Sequence, residues 1–191
     1  AEDIAVGDVV LAIGNPYGFG QSVSQGIVSG GGRCGLQLST YEGYIQTDAT
    51  IHLGSSGGAL IDHQGRLVGI NTLIYTAGTE RNGETPGIGI NLATPSPLAA
   101  AVLDDIVKYG HVIRGWLGVS VEVLLSEKQA VGPMQQLIVT DLAPGGPAQR
   151  AGIQLNDIIV AMDGEPVVDG RAAMLQIAQL RPGHLLRVNL D

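Results

Sequence analysis

One serine set among glycines has the surroundings that best suit covalent chemistry. The segment Gly54-Ser55-Ser56-Gly57-Gly58 places Ser56 in a sharp turn just before the apolar residues Ala59 and Leu60. Glycines let the backbone turn tightly, so that the amides of Gly54 and Ser56 can point together at one oxygen. The Ser56 hydroxyl then stays free to attack a carbonyl. The pattern predicts Ser56 as a nucleophile, with the Gly54 amide in an oxyanion hole.

Glycine–serine runs are more often ordinary turns, so this motif needs support from its context. Four stretches supply it: GDVVLAIGNPYGFGQSVSQGIVSG from Gly7, YIQTDATIHLGSSGGALIDHQGRLVGINT from Tyr44, GIGINLATPSPL from Gly87 and VIRGWLGV from Val112. In these stretches and their order the sequence resembles the HtrA family of serine proteases, most closely its DegS-type members, which carry one PDZ domain.

The resemblance implies a mostly β fold, namely the second β-barrel of a chymotrypsin-like protease followed by an α+β PDZ domain. We assign residues 1–110 to the C-terminal half of the trypsin-like protease domain, with the second barrel and its closing helix. Residues 111–191 are assigned to the PDZ domain, which we expect to be slightly truncated before its last strand.

The histidine base and the aspartate of such an enzyme come from its first barrel. Only 55 residues precede Ser56, and they read as second-barrel strands, so we expect the first barrel upstream of Ala1. None of the four histidines lies in the sequence context expected of the base. The exclusion is weakest for His52, because it lies in the same loop as Ser56. The chain alone is therefore predicted to be inactive.

Residues beside the nucleophile predict the substrate contacts. Asn71, Thr72 and Leu73 are expected to pair as a strand with the substrate backbone. Thr50 and Ile51 are expected to wall the pocket for the residue before the scissile bond. Because Thr50 is not acidic, that pocket should prefer small or medium apolar side chains.

The strands and the helix that position these residues are predicted from alternating apolar residues, turn residues and helix caps. The predicted strands, which make one barrel of about six strands, are 8–13, 21–30, 44–47, 59–61, 66–72 and 87–92. A helix is predicted from Ser96 as the N-cap, with Pro97 first and Gly110 as its stop. Leu98, Val102 and Ile106 should form its apolar face.

The second module carries a peptide-binding signature. The loop Trp116-Leu117-Gly118-Val119 resembles the carboxylate-binding loop of a PDZ domain, and residues 171–180 resemble its groove helix. Met174 and Ile177 lie three residues apart and should line the groove. The alternative for all of these apolar residues is ordinary core packing.

Arg33 is the candidate regulatory residue. It stands at the start of a predicted loop over residues 31–41, and a charged side chain between glycines is usually just solvated. The resemblance implies that this loop is a sensor, which contacts activation loops represented by residues 51–55 and 75–84. Ser55 and the pair His52-Leu53 depart from the family pattern within the first of these loops.

Composition narrows the function further. With a net charge of −8 the chain is not suited to nucleic acid or anionic membranes, and no apolar run is long enough to span a bilayer. The sequence predicts no metal site and no cofactor. The 29 glycines favour turn-rich β structure. The first residues do not read as a signal peptide, so any export signal or anchor is expected upstream.

The resemblance implies a regulated periplasmic serine endopeptidase of the envelope stress response, anchored to the inner membrane by an N-terminal segment and homotrimeric when full length. Its expected partners are C-terminal peptides of unfolded envelope proteins at the PDZ groove and an anti-sigma factor as substrate. Two alternatives remain at this point: a broad-specificity quality-control protease of the same family, and a binding-only PDZ protein that has lost catalysis.

Overall fold

A computed structural model describes residues 4–75, 89–125, 135–167 and 169–191. The chain divides into two compact units, one formed by Ala1–Leu38 with Glu42–Val112 and the other by Ser39–Tyr41 with Ile113–Asp191. A domain boundary between residues 110 and 111 stays our proposal. Within the described ranges, no helix is long and apolar enough to cross a membrane.

The first unit is a closed barrel of six antiparallel strands, as predicted. The strands are β1 (Val9–Gly14), β2 (Ser22–Arg33), β3 (Tyr44–Thr47), β4 (Ala59–Asp62), β5 (Leu67–Tyr75) and β6 (Ile90–Pro95). They follow the order β1-β2-β3-β6-β5-β4 around the barrel. Alternate residues point inward, and the buried core includes Val10, Val28, Ile45, Leu60 and Val68.

Strands β2, β5 and β6 extend beyond their predicted ranges, and β5 continues past Thr72 to Tyr75. β2 does not end at Gly30 but continues to Arg33, which pairs with Tyr44 of β3 through an irregular register. The predicted loop therefore begins after Arg33 rather than at Gly31. The start of the last predicted strand, at Gly87, lies outside the described residues, and β6 continues past Leu92 to Pro95.

Helix α1 (Ser96–Tyr109) closes the first unit, and it departs from prediction at both its cap and its face. Pro95 is the N-cap instead of Ser96, whereas Gly110 ends the helix in a left-handed conformation as expected. Ile106 is 49% exposed and Asp105 only 3% exposed. Eight residues turn a helix about 80° away from their starting face, whereas seven return it to within about 20°. Asp105 therefore continues the face of Leu98.

The second unit packs helices on a five-stranded sheet. Its elements are β7 (Val119–Leu125), β8 (Gln135–Leu142), α2 (Pro147–Arg150), β9 (Ile158–Met162), β10 (Glu165–Pro166), α3 (Gly170–Gln179) and β11 (Val188–Leu190). The strand order is β10-β9-β8-β7, with β11 also on β9 and β7 at an edge of the described sheet. The core includes Leu137, Val139, Ile159 and Met162.

The C-terminal residues form a strand that we did not predict. β11 pairs antiparallel with β9, and Asp191 exchanges backbone hydrogen bonds with Ile158 in both directions. The expected C-terminal truncation of the PDZ domain stays a prediction. The side chain of Asp169 caps α3 by accepting a hydrogen bond from the Ala172 amide at 2.7 Å.

Candidate active site

The nucleophile turn is clamped to the middle of β5. The Gly57 amide donates to the Asn71 carbonyl, and the Asn71 amide donates to the Gly58 carbonyl, each at 2.8 Å. A β-carbon at position 58 would lie 2.0 Å from the carbonyl oxygen of Ile13. Only glycine fits so close to β1, which explains why the turn ends in this residue.

Ser56 lies exposed at the tip of this turn, and its hydroxyl donates to the carbonyl of Thr72 at 3.1 Å. Thr72 occupies an irregularity in the pairing of β5 with β6, between Asn71 opposite Ala93 and Leu73 opposite Leu92. Such a bulge releases a residue from the regular ladder. The released Thr72 carbonyl is thus available to hold the Ser56 hydroxyl.

Two backbone amides beside the nucleophile are unengaged. Among the described residues, neither the Gly54 nor the Ser56 amide has a hydrogen-bond acceptor, whereas the Ser55 amide between them donates to the His52 carbonyl at 2.9 Å. Gly54 has a φ of +95°, which suits glycine. Within the ranges that the structure describes, both predicted oxyanion-hole amides are thus available to an oxygen.

Ser56 opens into a cavity of about 380 Å³. Its lining residues are Ile13, Gly14, Asn15, Gln21, Gly54, Ser56 and Gly58. Thr50, Ile51 and Asn71 instead line a second cavity of about 240 Å³, on the side of the turn that carries Ser55. The structure thus does not bring the predicted pocket residues Thr50 and Ile51 into the same cavity as the nucleophile.

Asn71 serves the turn rather than a substrate. Its side chain is only 1% exposed, and Nδ2 donates to the carbonyls of Ile13 at 3.0 Å and Ala59 at 3.3 Å. Its backbone amide and carbonyl are already engaged by Gly58 and Gly57. Substrate pairing through Asn71 was therefore the wrong expectation. Thr72 and Leu73 lie beyond Ile70, the last β5 residue paired with β4, and no strand of the described ranges pairs with them on that side.

In the described part of the chain, no histidine forms a hydrogen bond with the Ser56 hydroxyl. The hydroxyl bonds to the Thr72 carbonyl, the His52 ring lies 6.0 Å from the Tyr17 ring between centroids, and His111 Nδ1 contacts the Tyr109 carbonyl at 3.0 Å. The described residues also contain no cluster of three or more metal-ligating side chains.

The second unit presents two peptide amides toward its sheet edge. The Leu117 carbonyl accepts from the Ala148 amide and the Gly118 carbonyl accepts from the Ala143 amide, each at 3.0 Å. In a trans peptide the N–H points opposite to the carbonyl, so the amides of Gly118 and Val119 point away from these partners. Val119 begins the edge strand β7.

The other residues of the predicted groove differ in how far they are buried. Trp116 is 65% exposed and Met174 is 37% exposed, so neither is core. Ile177 is half-buried and packs against the core of the unit. Met174 and Ile177 both lie on α3, as predicted.

Arg33 is held by the barrel. Its Nε donates to Oε1 of Gln46 on β3 at 2.8 Å, and its guanidinium lies over Gly30, where a β-carbon would stand 2.5 Å from it. Most of the second activation loop, residues 76–84, lies outside the described residues. A relay from Arg33 stays a prediction.

Sequence reasoning missed a buried acid in the loop after β2. Glu42 is 2% exposed, and its two carboxylate oxygens accept the amides of Leu36 at 2.8 Å and Leu38 at 2.7 Å. The carboxylate therefore organises the segment between Arg33 and β3. The local sequence does not predict this role, because a glutamate in a polar stretch is expected to be exposed.

Comparison with known proteins agrees with both units. Residues 1–70 match the trypsin-like peptidase domain family and residues 115–191 match the PDZ domain family. Serine endoprotease DegS of Escherichia coli strain K12 is 42% identical over 186 residues, which is 96% of this chain and 52% of DegS. The periplasmic serine endoprotease DegP of the same strain is 38% identical over 193 residues, covering 100% of this chain and 40% of DegP.

Solved structures give the same result. The HtrA-type protease AlgW with a tripeptide superposes with a TM-score of 0.74 at 44% identity, covering 100% of this chain and 62% of AlgW. A serine endoprotease from Yersinia pestis superposes with a TM-score of 0.64 at 40% identity, covering 98% of this chain and 58% of that one. The chain spans about half the length of the curated DegS relative. Over nearly its whole length the chain is similar to HtrA-type serine endoproteases, with a trypsin-like peptidase match followed by a PDZ match.

Proposed function

We propose that this chain supplies the nucleophile and the peptide-sensing module of a regulated periplasmic serine endopeptidase. Ser56 attacks the scissile carbonyl, and the amides of Gly54 and Ser56 hold the resulting oxyanion. A histidine oriented by an aspartate, both from a first barrel, takes the Ser56 proton and returns it to the leaving amine.

The observation that carries this proposal is the nucleophile turn. It combines an exposed Ser56 hydroxyl with two amides that have no acceptor among the described residues. Removing one oxyanion donor from such a site typically lowers the rate by about 10²–10³-fold.

The substrate is proposed to lie along β5. Thr72 and Leu73 leave an edge free on the side where β4 pairing has ended, so an extended peptide can add there by backbone hydrogen bonds. Thr50 and Ile51 remain our proposed wall for the residue before the scissile bond. Their apolar and hydroxyl character favours a small or medium apolar side chain.

The PDZ module is proposed to bind peptides that end in a free carboxylate. The Gly118 and Val119 amides would receive the carboxylate, and the peptide would add as a strand beside β7. Trp116 and Leu117 form the first half of that loop, while Met174 and Ile177 on α3 would contact the last apolar side chain. C-terminal peptides of unfolded envelope proteins fit this description, and AlgW has been solved with a decapeptide.

The physiological role is proposed by similarity to DegS, which is more similar to this chain than DegP is, at 42% against 38% identity. On this proposal the full-length protein is a homotrimer in the periplasm, anchored to the inner membrane, and cleaves an anti-sigma factor during envelope stress. The competing role is broad quality control, as a protease active on many unfolded proteins.

Substrate choice in the full-length enzyme tests the proposal. We expect cleavage of an anti-sigma factor's periplasmic domain to depend on a PDZ-binding peptide, while unfolded casein is cleaved at least tenfold more slowly. Ser56→Ala should abolish both activities, and Leu103→Ala, an exposed change on α1, should serve as the matched control. Casein cleavage at an equal rate would favour the quality-control role, and activity surviving in Ser56→Ala would reject the catalytic assignment.

A further inference from the structure

The hydroxyl of Thr72 ties the irregular part of β5 to the neighbouring strand β6. The register pairs Ile70 with Thr94, and the Thr72 hydroxyl bridges these two residues. It donates to the Ile70 carbonyl at 2.7 Å and accepts a hydrogen bond from the Thr94 amide at 3.1 Å. A third contact joins the two hydroxyls, whose oxygens lie 2.9 Å apart. Thr72 is thus held through its side chain at the point where its backbone leaves the regular ladder.

The direction of the bond between the two hydroxyls follows from a count of protons. A threonine hydroxyl has one proton to donate and two lone pairs with which to accept. The proton of Thr72 is engaged by the Ile70 carbonyl, which can only accept. The Thr94 hydroxyl therefore donates to the Thr72 hydroxyl, and the Thr94 amide takes the second lone pair. Every hydrogen-bonding position of the Thr72 hydroxyl is then occupied.

These bonds fix the residue that receives the nucleophile. The Thr72 carbonyl accepts the Ser56 hydroxyl at 3.1 Å, whereas the β5–β6 register passes from Asn71 directly to Leu73 and gives Thr72 no partner of its own. A threonine side chain is stiff at χ1 because it is branched at the β-carbon, so fixing its hydroxyl also restrains the backbone of the same residue. The direction of the Thr72 carbonyl thus depends on the bonds at its hydroxyl.

We propose that Thr94 is a positioning residue for the nucleophile, whose hydroxyl and amide hold Thr72 so that its carbonyl sets the resting orientation of the Ser56 hydroxyl. This inference rests on the proposed function, because the placement of Ser56 matters only if Ser56 is the nucleophile. Thr94 acts through Thr72 and does not touch the substrate.

The test measures how fast Ser56 reacts in variants of the full-length enzyme. A small fluorophosphonate labels an active serine without pairing with the β5 edge, so its rate reports on the serine rather than on substrate binding. Thr94→Val keeps the shape of the side chain and the amide but removes the hydroxyl. We expect it to lower the labelling rate and kcat about fivefold, the effect of losing one ordinary hydrogen bond, with KM changed less than about twofold. Thr94→Ser keeps the donor and should label within about twofold of the parent enzyme.

A double-mutant cycle tests whether Thr94 acts through Thr72. Thr72→Val alone should slow labelling at least as much as Thr94→Val, because it removes all three bonds at the Thr72 hydroxyl. In the Thr72→Val background, the further change Thr94→Val should alter the labelling rate by less than about 1.5-fold. Val68→Ala is the control for lost stability, because Val68 is a core residue of the same strand, 1% exposed, that takes part in none of these bonds. It should lower the stability of the barrel without slowing labelling.

The outcomes separate this inference from the proposed function. Parent-like labelling in Thr94→Val, or independent effects of the two valine substitutions, would overturn the role of Thr94 while leaving Ser56 as the nucleophile. Labelling in Thr94→Ser as slow as in Thr94→Val would overturn it as well, and so would an equal loss in Val68→Ala, which would trace the effect to general destabilisation. Turnover that survives Ser56→Ala would instead reject the proposed function itself.

Discussion

The hydroxyl of Ser56 donates to the carbonyl oxygen of Thr72 at a distance of 3.1 Å. A backbone carbonyl orients a hydroxyl but cannot accept its proton, so this bond places the nucleophile without activating it. Activation requires a base, and the described residues offer none beside Ser56.

The chain of 191 residues alone should therefore not hydrolyse peptides. We expect no turnover above buffer with a fluorogenic peptide that the full-length enzyme cleaves, because no imidazole reaches the Ser56 hydroxyl. Turnover by the isolated chain that disappears in Ser56→Ala would contradict this prediction.

Gly58→Ala should destabilise the barrel. The added β-carbon would stand 2.0 Å from the Ile13 carbonyl oxygen, a backbone atom that cannot move aside without displacing β1. Overpacking of this kind costs about 3 kcal/mol, to be measured as a loss in the free energy of unfolding in urea. Gly31→Ala is the matched control, because a β-carbon there meets no atom within 4 Å, and we expect a change below about 0.5 kcal/mol. Equal stability of the two variants would show that β1 shifts to accommodate the added β-carbon at little cost.

The stability of the β4–β5 hairpin should fall in acid. Burial raises the pKa of Asp62, but hydrogen bonds from the Arg66 amide, the Arg66 side chain and the Gln64 amide outweigh it and lower the pKa to about 2. A carboxylate with a lowered pKa stabilises the folded state above its unfolded pKa, near 3.9, and that contribution is lost as the pH falls toward 2. Urea unfolding between pH 5 and pH 2 should show a smaller decline in Asp62→Asn than in the parent chain. An identical decline in the stability of the two proteins between pH 5 and pH 2 would contradict the stabilising role of the Asp62 carboxylate.

Peptide binding at the PDZ module should depend on a free terminus. Amidating the C-terminus removes the negative charge that the Gly118 and Val119 amides would satisfy, so we expect at least a tenfold loss in affinity by calorimetry. Met174→Ala should weaken the binding of peptides that end in a large apolar residue more than the binding of peptides that end in alanine. Equal affinities for amidated and free peptides would refute the groove assignment.

Arg33→Ala should weaken regulation without weakening ligand binding. In the full-length enzyme we expect peptide-stimulated proteolysis to drop several-fold, with peptide affinity at the PDZ groove within about a factor of two, if most binding energy is local. Gln46→Ala tests the bond seen here, because it removes the acceptor of Arg33 Nε. Unchanged stimulation in Arg33→Ala would show that Arg33 is an ordinary surface residue with no regulatory role.

Local patterns predicted the barrel and the nucleophile turn because both depend on short-range signals. An apolar run marks β1, alternating residues mark most of β2, and the glycines around Ser56 mark the turn. The extension of β2 to Arg33 depends on pairing with Tyr44, across an irregular register that neither segment reveals alone. The four-residue spacing predicted Ile106 on the buried face of α1, because an apolar residue was preferred over Asp105. The functions of the Asn71 and Thr72 backbone groups are likewise invisible, since they follow from how β4, β5 and β6 align.

The irregularity at Thr72 has a consequence for insertions and deletions in β5. Deleting that one residue would place Asn71 and Leu73 in consecutive pairs with Ala93 and Leu92 of β6, but it would also remove both hydrogen bonds between the Thr72 hydroxyl and Thr94. The same deletion would take away the oxygen that receives the Ser56 hydroxyl. The one residue that interrupts the regular ladder therefore places the nucleophile, and a β5 shorter by that residue would leave the serine hydroxyl without its acceptor.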